Sequence, residues 1–503
     1  MSKLNRNIVA NYVGVGVTAL MAVVVVPMYL GILGAEAYGL VGFFMAFRAM
    51  AGMLDLGLST VVSREVSKRL ASGIEQNSVG RLVRTIEVAY WVIGSLSGGA
   101  LLIWAYFVGH SWFQLSEISA DTVVTSASVF AVTMMVTWPI ALYRGVLRAL
   151  ERQVDHNVIL VLASILRGFG AVAVLFFIEK SVVAFLLWNL LIGVLEVAVM
   201  AVTSWNCLKC ASSTHDRRID YAEFKGIWQF LSGVSCITLL GVVVSQCDTL
   251  LISNLLALEM LGYYTVAATL AASLGRLTGP IITAVFPQLT ASYARGDTIA
   301  LAKLFQKYSS LVGLVVAPIG IALAFFSNDI LIVWTRSTEA ALYGHDALSL
   351  LTLGYLFYAM AHLDSNLLLA VGQTKFLLIY GVVSSIVYLP VIYLATTIWG
   401  ISGAASCWLL LNVVSFIILS IFRNAKILKT HLSVIMLFGN MRFVLAGSML
   451  FGLSRLVGML VNAGPTASLG IAAIGGGAYL LWCFPQYRLI QDGIKNSPSR
   501  LPL

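Results

Sequence analysis

LGAEAYGL (residues 33–40) and LALEMLGY (residues 256–263) are two versions of one phrase, 223 residues apart. The offset aligns Glu36 with Glu259 and Gly39 with Gly262, and it drifts slowly further along the chain. Ala149 falls opposite Ala370 at an offset of 221, and Trp188 opposite Trp408 at 220. One match of this quality carries little, but a register held over about 200 residues marks an internal duplication.

What is duplicated becomes clear on moving outward from the two phrases. Apolar residues make up 59% of the chain and charged residues only 11%, against roughly 25% charged in a soluble globular domain. A water-soluble enzyme of this length needs far more polar surface to cover itself. Apolar runs of about 20 residues, long enough to cross a ~30 Å hydrocarbon core, recur throughout. The expected spans are 8–30, 37–59, 86–108, 122–143, 157–178, 182–205, 227–255, 263–287, 309–327, 346–370, 376–396, 399–422, 443–461 and 467–486. The first follows Lys3 and Arg6 in the manner of a signal peptide. Its apolar stretch is too long, however, and no small-residue cleavage site follows, so it is expected to be a retained helix. The fold class is therefore an all-α polytopic membrane protein of about fourteen transmembrane helices.

The repeat then organises these helices. Residues 1–205 form an N-lobe of helices 1–6, and 206–226 a cytoplasmic linker. Residues 227–422 form a C-lobe of helices 7–12, and 423–503 hold helices 13 and 14 with a tail. Six helices is an even number, so the second copy inserts with the orientation of the first. Such repeats are related by a pseudo-twofold axis along the membrane normal, with substrate sites at their interface. Helices 1, 2, 7 and 8 are expected around a central cavity, which is a transporter architecture.

The net charge of +9 invites a nucleic-acid reading, but its distribution opposes that. Of 31 Lys and Arg, 25 lie in the termini and the even-numbered connections, and only Lys180 and Arg336 in the odd-numbered ones. This is the positive-inside asymmetry, and it predicts that both termini are cytoplasmic, with the basic residues meeting anionic lipid headgroups. The six cysteines are scattered, so disulfides are not expected. Cys207 and Cys210 form a C-x-x-C near His215, but no second ligand pair follows at zinc-site spacing; free thiols are the simpler reading and no metal is expected.

VPMYLGILGAEAYGL (residues 26–40), followed by a helix ending in LDLGLSTVVSREVSK (residues 54–68), resembles the polysaccharide-transport, Wzx-like branch of the multidrug/oligosaccharidyl-lipid/polysaccharide superfamily. The resemblance covers helices 1–12 and is sharpest over residues 8–70. It implies a MATE-like fold of two six-helix lobes and alternating access. It also implies flipping of a polyprenyl-pyrophosphate-linked oligosaccharide, such as an O-antigen or exopolysaccharide repeat unit, across the bacterial inner membrane. Fourteen helices also resemble the lipid II flippase branch, whereas twelve are usual for multidrug extruders. The partners so implied are the lipid-linked glycan, membrane lipid and polysaccharide assembly proteins.

Charges within spans are costly, at least ~2.5–3.5 kcal/mol each on the insertion scale, and so ask for a reason. Arg48 lies midway along helix 2, Asp55 seven residues later, and Arg276 near the centre of helix 8; Asp248 is in the outer third of helix 7, two residues after Gln246. A guanidinium grips phosphate oxygens in a bidentate fork, so Arg48 and Arg276, with Asp248 and Gln246, are the candidate substrate-binding residues. Arginines on cavity helices of the lipid II flippases support Arg48 and Arg276 by position. The alternative is a structural ion pair or an arginine snorkelling to an interface.

Arg167 and Glu196 sit at equal depth on adjacent antiparallel helices, which suggests a salt bridge within the first lobe. Asp55, Glu196, Asp364 and His362 are the candidates for coupling to H+ or Na+, with a solvated helix end as the alternative for the last two. Arg455 on helix 13 can snorkel outward or line a groove for a lipid tail. Pro27, Pro280 and Pro287 remove backbone hydrogen bonds on cavity helices and are candidate hinges. Gly94 and Gly98 form a small-xxx-small helix contact.

No G-x-x-x-x-G-K-[ST] is present, so no ATPase is built in and no cofactor is expected. The outer connections are short and lack clustered catalytic groups, which argues against a membrane-embedded glycan-transferring enzyme. The remaining alternative is an ion-coupled exporter of small cations, which would need acidic residues to dominate the cavity.

Overall fold

The structure, a computed structural model, describes residues 3–53, 58–72, 76–211, 241, 244–428 and 434–495. The helices of the first half are α1 (Lys3–Leu33), α2 (Ala35–Met53), α3 (Leu58–Ser72), α4 (Gln76–Phe107), α5 (Gly109–Trp112), α6 (Ala120–Thr137), α7 (Ile140–Ala149), α8 (Gln153–Phe177) and α9 (Val182–Ala211). Those of the second half are α10 (Leu258–Ala294), α11 (Thr298–Phe325), α12 (Ser327–Thr335), α13 (Thr338–Ala370), α14 (Thr374–Phe422), α15 (Val434–Leu460) and α16 (Pro465–Lys495). Eleven helices among the described residues are long and apolar enough to cross a membrane. The chain is a multi-pass membrane protein.

Three differences separate the fourteen expected spans from these eleven. The expected spans 376–396 and 399–422 run as one element, α14, broken at Gly400, whose φ of +59° and ψ of −141° leave the helical region. Of the run expected at 37–59, residues 37–53 lie in α2 and 58–59 open polar α3, while 54–57 lie outside the described residues. Most of the expected 227–255 span lies outside the described residues; residues 244–255 of it are helical.

The chain divides into two compact units, Met1–Gly262 and Tyr263–Leu503. In the first, α1 stops at Gly34, whose φ of +83° is the left-handed conformation that ends helices. Glu36, in the first turn of α2, is buried, and its carboxylate accepts the backbone N–H groups of Ser116 (2.6 Å), Glu117 (2.7 Å) and Ile118 (3.2 Å). That loop leads into α6, capped by Ser119, whose Oγ accepts from the Thr122 N–H. Gly94 and Gly98 of α4 lie against Ala131 and Met135 of α6, with no room for a Cβ at either glycine.

The two repeated phrases meet inside this first unit. A Cβ at Gly39 would collide with the carbonyl oxygen of Leu258, and one at Gly262 with that of Ala35. At the offset of 223, Gly39 is the counterpart of Gly262 and Ala35 of Leu258. The contact is therefore reciprocal. Beside it, the Leu258 N–H donates to the Gln114 carbonyl (3.1 Å), Gln114 Nε2 to the Leu255 carbonyl (3.1 Å), and Trp112 Nε1 to Ser253 Oγ (3.0 Å).

In the second unit, a buried apolar cluster runs through Leu274, Phe305, Leu356, Phe416 and Tyr479, joining α10, α11, α13, α14 and α16. Arg455 of α15 ion-pairs with buried Asp329 of α12, and donates to Ser468 Oγ of α16 at 3.2 Å. Ser468 in turn donates to Asp329 at 2.7 Å. Arg455 thus neither snorkels outward nor lines a lipid groove; it fastens the last two helices to α12.

Candidate functional site

Arg48 is exposed in the last third of α2, a 19-residue apolar helix, and not at its middle as the expected span placed it. It lies within electrostatic reach of Arg144 on α7, Arg167 on α8 and Glu196 on α9. Arg167 Nη2 and Glu196 Oε2 stand 2.5 Å apart, with Glu196 almost wholly buried. The position of Arg167 is set by the packing of α1 on α8. Tyr29 Oη donates to the carbonyls of Arg167 (3.2 Å) and Gly168 (3.0 Å), and a Cβ at Gly168 would press on Met21 and Val25. The group holds three arginines and one carboxylate, an excess of positive charge suited to an anion. Arg144 was not singled out in the sequence because it stands in a basic inner connection, where the positive-inside asymmetry already accounts for it.

Asp248 is half-buried, and its Oδ1 accepts from the Thr249 N–H at 2.7 Å; Gln246 is also half-buried. Asp55 lies outside the described residues.

In the second unit, Arg276 occupies the middle of the 37-residue α10 and is exposed. Among the described residues it has no hydrogen-bond or ion-pair partner. A guanidinium at that depth is costly to leave in hydrocarbon. The preceding residue, Gly275, abuts two tyrosines of α13. A Cβ there would lie 3.5 Å from Tyr355 Cδ1 and 3.8 Å from Tyr358 Cε1.

His362, further along α13, stacks on Tyr358 with ring centroids 5.3 Å apart. Asp364 does not sit at a solvated helix end. It is fully buried, ion-paired with Arg423 at the start of a π-helix (Arg423–Leu428), and accepts from Ser420 Oγ at 3.0 Å. Arg423 also lies over the Phe305 ring at 4.4 Å. Sequence spacing could not show this pair, because Arg423 follows α14 and reads as one more basic residue at a cytoplasmic helix end.

Pro27 lies inside α1, and α10 runs without interruption past Pro280 and Pro287. Among the described residues no group of three or more His, Cys, Asp or Glu could hold a metal ion; Cys207 is in no disulfide among them, and the side chains of Cys210 and His215 lie outside the described residues.

Comparison with known proteins places this arrangement. The chain is 22% identical over 404 residues to a Shigella flexneri protein named "Putative O-antigen transporter", a match covering 80% of this chain and 93% of that one. The fold is similar to that of the lipid II flippase MurJ in an inward closed conformation (TM-score 0.70, 14% identity, 95% of this chain and 98% of that one). It is also similar to an inward-facing multidrug resistance MATE transporter of the MOP superfamily (TM-score 0.68, 16% identity, 82% and 95%). The sequence profile described as "Polysaccharide biosynthesis protein" matches residues 4–293, more than half of the chain. With its all-helical, multi-pass architecture and internal duplication, the chain belongs to the polysaccharide biosynthesis protein family.

Proposed function

We propose that this protein flips a polyprenyl-pyrophosphate-linked oligosaccharide, an O-antigen or exopolysaccharide repeat unit, across the bacterial inner membrane by alternating access. Family membership and the name of the Shigella relative support the substrate class. The observation that carries the reading is Arg276, a charge at the centre of a membrane-length helix with no partner among the described residues. A group kept charged and unpaired at that depth is stabilised by an anionic ligand or by the water that precedes it. Arg48, in its arginine-rich surroundings, offers a second grip on the pyrophosphate. The prenyl tail stays in membrane lipid, and assembly proteins receive the glycan on the outer face. Both termini are cytoplasmic. Pro27, Pro280 and Pro287 are the hinges, and H+ or Na+ drives the cycle. Of the coupling candidates in described positions, Glu196 is the strongest, since it lies within reach of Arg48.

The test is glycan export measured together with membrane abundance. Arg48→Ala and Arg276→Ala each abolish export while the protein still inserts. Lysine restores it only in part, because an ammonium keeps the charge and loses the fork. A structural arginine would instead lower abundance, and neutralising a carboxylate as well, as in Arg276→Ala with Asp248→Asn, would recover both. Normal export by both single alanine variants refutes the headgroup role.

A further inference from the structure

Close to Arg276 the second unit carries a row of aromatic side chains, a shelf at the edge of its buried cluster. Tyr355 and Tyr358 of α13 stand edge to face with centroids 6.1 Å apart. Both flank Trp408 of α14, at 5.3 Å and 6.2 Å, and His362 extends the row by stacking on Tyr358. Trp408 is 8% exposed and is held against the backbone of Gly354, so its ring has one orientation. Tyr355, Tyr358 and His362 are half-buried.

Three polar atoms of this row are unused. Among the described residues Trp408 Nε1 and His362 Nδ1 have no hydrogen-bond partner, and neither does the Tyr358 hydroxyl. Buried polar groups in folded proteins are almost always satisfied, so two orphaned ring nitrogens in one row ask for an explanation. Tyrosine and tryptophan commonly mark the headgroup belts of a membrane. Tyr355 and Tyr358, however, lie near the middle of the 33-residue α13, away from either belt. Gly275 brings α10 against the two tyrosines, and exposed Arg276 is the next residue along that helix.

We infer that Tyr355, Tyr358, His362 and Trp408 form a stacking platform for a sugar ring, one residue away from the arginine that takes the phosphate. A pyranose has a flat face of C–H bonds and a rim of hydroxyls. The first matches the aromatic faces, and the second matches donors and acceptors set at ring edges. A prenyl chain would use the rings but leave the three polar atoms unsatisfied. This inference rests on the flippase reading above and deepens it, because it divides the work of recognition: Arg276 reads the linkage common to all such lipids and the shelf reads the glycan.

The experiment uses the full chain in nanodiscs and two probes. One is bare undecaprenyl pyrophosphate; the other is the lipid-linked oligosaccharide extracted from source cells lacking the transporter. The intact protein binds the glycan-bearing lipid more tightly. Tyr355→Leu and Tyr358→Leu each remove that preference, weakening the glycan-bearing lipid by about fivefold and leaving the bare lipid unchanged. Tyr358→Phe, which keeps the ring, retains most of the preference. Arg276→Ala weakens both probes together. If the intact protein prefers the glycan-bearing lipid and the leucine variants match it, or weaken both probes equally, the shelf is overturned and the flippase reading stands. If the intact protein binds neither probe, the flippase reading falls and takes the shelf with it.

Discussion

Matched positions in the two halves of the chain sit in different surroundings. Trp188 packs against Gly170 of α8, whereas Trp408, its counterpart at the offset of 220, packs against Gly354 of α13, and the two glycines are not counterparts. Trp188 Nε1 donates to the Leu166 carbonyl at 2.9 Å, whereas Trp408 Nε1 has no partner among the described residues and its ring faces two tyrosines. Glu196, paired with Arg167 in the first copy, falls opposite Phe416 in the second, and Arg167 opposite Val387 or Tyr388. Conversely Asp364, ion-paired in the second copy, falls opposite Tyr143, which donates to Glu87 in the first. The glycines of the repeated phrase are kept, while these other matched positions carry a charge in one half and an aromatic ring in the other.

The largest effects come from breaking the buried pairs. Asp364→Ala strands Arg423 in the core and lowers stability by about 4 kcal/mol. Glu196→Ala acts in the same direction at about 3 kcal/mol, less because the Arg167 side chain keeps 17% of its surface exposed against 5% for Arg423. Thermal unfolding in detergent, read with membrane abundance, ranks the two. Replacing both partners, Arg167→Met with Glu196→Leu, gives the first copy the apolar filling of the second. Abundance then returns to that of the intact protein. If export returns as well, Glu196 has no part in ion coupling.

Next in size are the paired glycines. Gly39→Ala and Gly262→Ala each force a methyl group onto a backbone carbonyl and cost about 2 kcal/mol. The comparison requires similar losses for both, and a threefold difference in abundance between them would show that the contact is not reciprocal. The smallest effect separates the tryptophans. Trp188→Phe gives up a hydrogen bond and lowers stability by about 1 kcal/mol, while Trp408→Phe lowers the unfolding temperature less and shows itself in glycan binding instead.

Most of the spans were legible in the sequence because apolar length is a one-dimensional signal. So was the meeting of Arg167 with Glu196, since equal depth on adjacent antiparallel helices needs only counting. The polar character of α3 was not, because its first residue, Leu58, reads as a continuation of the apolar run before it. Neither were the links from Asp364 to Arg423 and from Arg455 to Asp329. In each, the partner sits near a helix end, where a charge has a sufficient explanation in solvent or lipid headgroups, and only the packing of three helices shows otherwise. The shelf was hidden for a similar reason. Tyr355, Tyr358 and His362 share a helical face, but their chemistry depends on Trp408, which lies 46 residues beyond His362.

The reciprocal contact of Gly39 with Leu258 and of Gly262 with Ala35 has a meaning beyond its tight packing. A patch that touches its own counterpart in this crossed way is self-complementary, as in an isologous dimer. A half-length chain carrying the phrase at residues 33–40 would already own both sides of such an interface. Two copies of a six-helix ancestor could have met through it before any linker joined them, and the fused gene needed to invent no new surface.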